Sequence, residues 1–154
     1  MTYLKSFAAI SLAVLSFSAL ADSGVKISEP WVRATVPQQK ATGAFMQITA
    51  TKPMRLLEVR SPVAGVAEIH EMSMSDNMMR MRQVKDIALP AGKAVELKPG
   101  GYHVMLMELK GQVKAGDKVP LTLVVEGDNK QRETIEVMAE ARALGAGNMP
   151  AMKH

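Results

Sequence analysis

Val95-Glu96-Leu97-Lys98-Pro99-Gly100-Gly101-Tyr102-His103-Val104-Met105-Leu106-Met107 reads as strand, turn, strand. The first run stops at Pro99-Gly100-Gly101, where one residue lacks a backbone donor and two tolerate positive φ, and a second alternating run starts at Tyr102. Side chains at i and i+2 of an extended chain share a face, so His103 and Met105 project together while Val104 points the other way. Met107 shares that face and is an alternate to Met105, with a place in the core as its ordinary reading. Because the pair follows a turn directly, it lies near the rim of a sheet, where a small ion has access.

The same grammar extends outward in both directions. Toward the N-terminus, β-type runs cover Trp31 to Val36 between two prolines, Thr42 to Thr49, Leu56 to Arg60, Val66 to Met72 and Met78 to Val84. In Thr42 to Thr49, Ala44, Met46 and Ile48 occupy one face, with Phe45 and Gln47 on the other. Toward the C-terminus, Leu121 to Glu126 and Glu133 to Met138 flank a turn at Gly127-Asp128-Asn129, and Ala139 to Leu144 has the composition of a single helical turn. Many short strands at this spacing, with no sustained helical period, predict an all-β sandwich or barrel.

The 154 residues are enough for one core, so one domain is expected. The first 21 residues read as a signal peptide: Lys5, then an apolar run from Ala8 to Leu15, then Ala19-Leu20-Ala21 as the cleavage pattern. The domain is then 22–144, and 145–154 is a tail with two glycines, a proline and little to pack with. Removing residues 1–21 takes away Lys5 and no acid, so the net charge falls from +4 to +3. Such a balance favours solubility and does not resemble a nucleic-acid-binding stripe; no stable membrane insertion is expected. The chain has no cysteine, which excludes disulfides, type 1 blue copper centres, thiolate zinc sites and thiol redox catalysis. No nucleophile set, phosphate loop or paired acid suggests an enzyme.

What remains conspicuous is sulfur beside imidazole. Seven of the 13 methionines (Met72, Met74, Met78, Met79, Met81, Met105 and Met107) lie in one segment with two of the three histidines, His70 and His103. Thioethers are soft, neutral ligands and imidazole is borderline, a combination that suits Cu(I). A hairpin over the polar Ser73, Ser75, Asp76 and Asn77 brings His70 toward Met81. His70, Met81, His103 and Met105 can then form an N₂S₂ set, with Met72 as a further alternate. Glu68 and Glu71 read as solvated strand charges, a supporting role to a histidine being the lesser reading. In the tail, Met149, Met152 and His154 form a smaller group whose imidazole and terminal carboxylate suit a second ion, Cu(II), the other and preferred reading being an unstructured end whose residues bind nothing.

The order His70, ten residues, Met81, twenty-one residues, His103, one residue, Met105 resembles the H-x10-M-x21-H-x-M signature of the periplasmic copper chaperones called PCu(A)C. Trp31-Val32-Arg33-Ala34, Ser61-Pro62-Val63-Ala64, His70-Glu71-Met72, Leu89-Pro90-Ala91-Gly92 and Leu97 to Leu106 are similar as well, so the likeness runs from about Val25 to Met138. The resemblance implies a cupredoxin-like Greek-key β-barrel, a solvent-accessible Cu(I) site and a periplasmic monomer that supplies copper to the Cu(A) centre of cytochrome c oxidase, with or without a Sco-type partner. Two other readings stay open: copper storage or tolerance, and a structural exported β-domain whose methionines fill its core.

Overall fold

The computed structural model describes residues 24–143. Residues 1–21 and the tail with Met149, Met152 and His154 lie outside them. Ten strands form in chain order: β1 (Val25–Arg33), β2 (Ala41–Ala50), β3 (Met54–Arg60), β4 (Ala64–Ser75), β5 (Met78–Gln83), β6 (Ile87–Leu89), β7 (Ala94–Leu97), β8 (Tyr102–Leu109), β9 (Lys118–Gly127) and β10 (Arg132–Arg142). The all-β sandwich or barrel expected from the pattern is what these residues build.

The strands hydrogen-bond in the order β5-β4-β8-β2-β1-β10-β9-β3-β6, and β7 pairs with β2. β2 is where the sheet divides: its first half pairs with β8 and its second half with β7. The sheet folds around one apolar centre. Val104 and Leu106 of β8, Ala44, Met46 and Ile48 of β2, Leu56 of β3 and Leu121, Leu123 and Val125 of β9 are all buried there. Each set is spaced by two, so alternation alone selects the inward face.

Three local expectations change. β1 starts at Val25, six residues before Trp31, because a bulge accommodates Pro30: Glu29 has φ of 49° and the register against β2 shifts between Ser28 and Trp31. The short β6 pairs with the start of β3, burying Ile87 and Leu89. The helical turn over Ala139 to Leu144 does not form, since β10 continues through Arg142. Its last residues pair in parallel with β1 (Trp31 with Glu140, Val32 with Ala141), and Ala139 and Ala141 are buried. Small side chains with helical propensity are recruited where two strands must approach closely, so packing overrides propensity.

Few of the described methionines fill the core. Among the described residues Met46 belongs to the buried centre and Met54 packs against it, whereas Met74, Met78, Met79, Met81 and Met138 are exposed. That removes the premise of a structural domain with a methionine core.

Candidate metal centre

The centre is built on the outward face of β8, β4 and β5. Val104 and Leu106 point into the core, so His103, Met105 and Met107 must point away from it. Antiparallel register fixes what stands beside them: His103 lies opposite His70, Met105 opposite Glu68 on one side and Gly43 on the other, and Met107 opposite Val66 and Ala41. Met107 is therefore not a core residue, as its ordinary reading had it. It is half-buried on the ligand face, one step farther along β8 than Met105.

The β4–β5 hairpin supplies the remaining sulfur. Asp76 and Asn77 link the strands with φ of 51° and 61°, the pair of left-handed residues that a two-residue type I′ turn requires. That turn sets the register: Met72 faces Met81, Met74 faces Met79, and His70 faces Gln83. Met81 is consequently a diagonal neighbour of His70. Met72 stands one strand from His103, and Met81 stands two.

Met72, Met81, His103 and Met105 line one open cleft of about 310 Å³ together with Arg33 and Phe45. The volume is at the bottom of the range for drug-sized ligands, which favours an ion over an organic substrate. His103 is 5% exposed although it faces away from the core, because the Phe45 ring lies 6.4 Å from it and Trp31 stacks on Phe45 at 4.5 Å. Gly43 makes this cover possible: a Cβ there would stand 2.8 Å from the tip of the Phe45 ring.

Each imidazole already has one nitrogen assigned. His103 Nδ1 is 3.1 Å from the carbonyl of Gly101. A carbonyl only accepts, so Nδ1 carries the proton and Nε2 keeps its lone pair. Burial, the largest influence, lowers the His103 pKa, and the nearby His70 and Arg33 act in the same direction against the Gly101 hydrogen bond. Neutral imidazole, the form that binds metals, is thereby favoured.

His70 is arranged in reverse. Its Nε2 meets Glu68 Oε2 at 2.7 Å, while Nδ1 is buried without a hydrogen-bond partner. A buried nitrogen with no partner is unusual in a folded protein, and a carboxylate on the opposite ring nitrogen is the common support of a metal-binding histidine. Glu68 is thus not a solvated charge. Glu71 pairs with Arg82 at 2.9 Å on the opposite face of the hairpin and takes no part.

The two rings lie 5.8 Å apart, centroid to centroid. Metal–nitrogen bonds of about 2 Å place an ion about 3 Å from each centroid, so the spacing matches one ion between the rings, with His103 on the wall of the cleft and His70 behind it, outside its lining. Among the described residues no three His, Cys, Asp or Glu side chains gather as a metal cluster. An ion at this cleft would need to accept thioether sulfur, and the Arg33 guanidinium beside it favours low charge.

The folded sheet that carries this outward His/Met face is similar to solved PCuAC domains. The solved "Copper-bound PCuAC domain from PmoF2" superimposes with a TM-score of 0.58 at 27% identity, over 77% of this chain and 93% of that one. "CuI-DR1885 from Deinococcus Radiodurans" does so with 0.55 at 28%, over 84% and 85%. The chain belongs to the LpqE-like family, whose profile matches residues 25–139. A relative from Leifsonia xyli subsp. xyli, "Putative lipoprotein Lxx21020", is 32% identical over 101 residues, covering 65% of this chain and 61% of that protein. The chain spans less than two thirds of the length of this protein and of the Rickettsia prowazekii relative RP573, of which it covers 65%.

Proposed function

We propose that the protein is an exported carrier of Cu(I) that holds one ion at His70, Met81, His103 and Met105. The observation that carries this reading is the pairing of two differently anchored imidazoles, each with one nitrogen left for a metal, beside a cleft walled by thioethers. Cu(I) has a filled d shell and no preference for planar geometry, so a roughly tetrahedral set of neutral donors suits it. Neutral donors also release the ion to a thiolate by stepwise exchange, which is what a carrier needs and a catalyst does not. Copper in two of the similar domains supports the choice of metal.

The acceptor in this reading is the Cu(A) subunit of cytochrome c oxidase, reached directly or through a Sco-type protein, and the place of work is the periplasm after cleavage at Ala21. Lipoprotein naming among the relatives supports export. These 154 residues contain no cysteine to carry a thioether-linked lipid. Storage or tolerance remains the second reading, since the same ligands would serve it.

X-ray absorption on the Cu(I)-loaded protein tests the ligand set: mixed nitrogen and sulfur scattering is expected, and a shell of oxygen and nitrogen alone would sink it. Mixing the loaded protein with the apo soluble Cu(A) domain, with and without a Sco-type protein, tests delivery. Copper that stays put in both mixtures would favour storage.

A further inference from the structure

Two rungs of methionine run along one face of the β4–β5 hairpin, Met72 opposite Met81 and, nearer the turn, Met74 opposite Met79. Met72 and Met81 line the cleft. Met74 and Met79 lie beyond it, with exposures of 68% and 50%, and no part of the proposed ligand set uses them. Successive rungs are about 7 Å apart along the strands, and cross-strand partners about 5 Å. A methionine side chain has three rotatable torsions, so neighbouring sulfurs on such a lattice can meet around one small ion.

The placement is selective. β5 is an edge strand, and proteins usually blunt edges with charge. Here Arg80 and Arg82 share the opposite face with the exposed Met78, Arg82 tied to Glu71, while the face of Met72, Met74, Met79 and Met81 carries no charge between the turn and the cleft. Each exposed thioether forgoes the stabilisation that burial would supply, so keeping sulfur in water works against the stability of the hairpin.

We infer that Met74 and Met79, with Met72, form a second, all-thioether site for Cu(I) at the hairpin tip that loads and unloads the cleft. This rests on the Cu(I) reading above for the identity of the metal. The ion stays monovalent throughout: a sulfur of the next rung bonds as one of the previous rung leaves, and no electron or proton moves. The route runs from Met74 and Met79, through Met72 and Met81, to Met105 and His103. An all-sulfur, neutral, exposed site holds the ion more loosely than one with imidazole, so the gradient points inward during loading. A thiol-bearing acceptor drawing from the tip reverses it.

The test follows each methionine by NMR of the full chain labelled with ¹³C at the methionine methyls, while Cu(I) is titrated without oxygen. The first equivalent should move Met105 and Met81, and excess Cu(I) should then move Met74 and Met79. The double substitution Met74→Leu and Met79→Leu, at exposed positions and nearly equal in volume, should retain the first equivalent, lose the later one at the hairpin and load more slowly. Met74 and Met79 methyls that stay still in excess Cu(I), or a double variant that loads at the parental rate, would overturn the inference while leaving the carrier intact. Shifts at these methyls only on adding the acceptor domain would assign the face to protein contact and also overturn it. A parent chain that takes up no Cu(I) would overturn both.

Discussion

At Met105 the neighbours Val104 and Leu106, both fully buried, force the side chain out of the core and onto the face of His103. Met105→Leu is therefore expected to leave the thermal midpoint nearly unchanged while weakening Cu(I) binding in a chelator competition, and more so than Met107→Leu. The spacing of the histidines and methionines was legible in the sequence, as was Met105 beside His103, but which hairpin sulfur stands nearest His103 was not. That depends on the hairpin register, which puts Met72 one strand away and Met81 two. Glu68 was misread for a similar reason: a strand carboxylate looks solvated until its i+2 neighbour proves to be a half-buried histidine 2.7 Å away. Burial also gives His103 a pH signature. Its folded pKa lies below the ordinary value of 6.5, so the unfolded chain takes up a proton first as pH falls. The associated stability is present above about pH 6.5 and is lost on descending through the lower folded value. Thermal midpoints of the apo protein between pH 7.5 and 5 should fall, and His103→Leu should flatten that part of the decline.

The β4–β5 hairpin shows how much of an element's function is carried by its turn. Asp76 and Asn77 both adopt left-handed geometry, which asparagine and aspartate tolerate and alanine does not. Asn77→Ala should cost about 1–2 kcal/mol locally, seen as amide exchange about 5- to 30-fold faster across Met78 to Arg82. Asn77→Gly, which creates the preferred Asp-Gly turn, should not speed exchange. The alternation of β2, β8 and β9 was readable because one face of each packs on the core. β6 was not, since a three-residue strand has too few positions to show a period. The end of β10 was read as helix because Ala, Glu and Arg favour it locally, and partners on both sides decide otherwise: Lys118 and Val119 of β9, and Trp31 to Arg33 of β1, more than a hundred residues away.

On the scale of the whole molecule, the cleft is built entirely from the described residues. A chain ending at Leu144 lacks Met149, Met152 and His154, and on the Cu(I) reading it is expected to keep the Cu(I) equivalent of the cleft, whereas a tail site predicts the loss of a Cu(II) equivalent. Titration in both oxidation states checks this, and equal Cu(II) uptake would dispose of a tail site. The row that crosses the sheet from His70 through His103 and Phe45 to Trp31 joins the cleft to β1 and, through Trp31 and Glu140, to β10. Trp31 is the only tryptophan in the protein, and it stacks on the ring that covers His103. Its emission is therefore a built-in optical indicator of the state of that histidine. Cu(I) uptake should change the fluorescence in step with the first equivalent, and Phe45→Leu should reduce the response by interrupting the stack, so that filling and emptying can be watched in real time without attaching a dye.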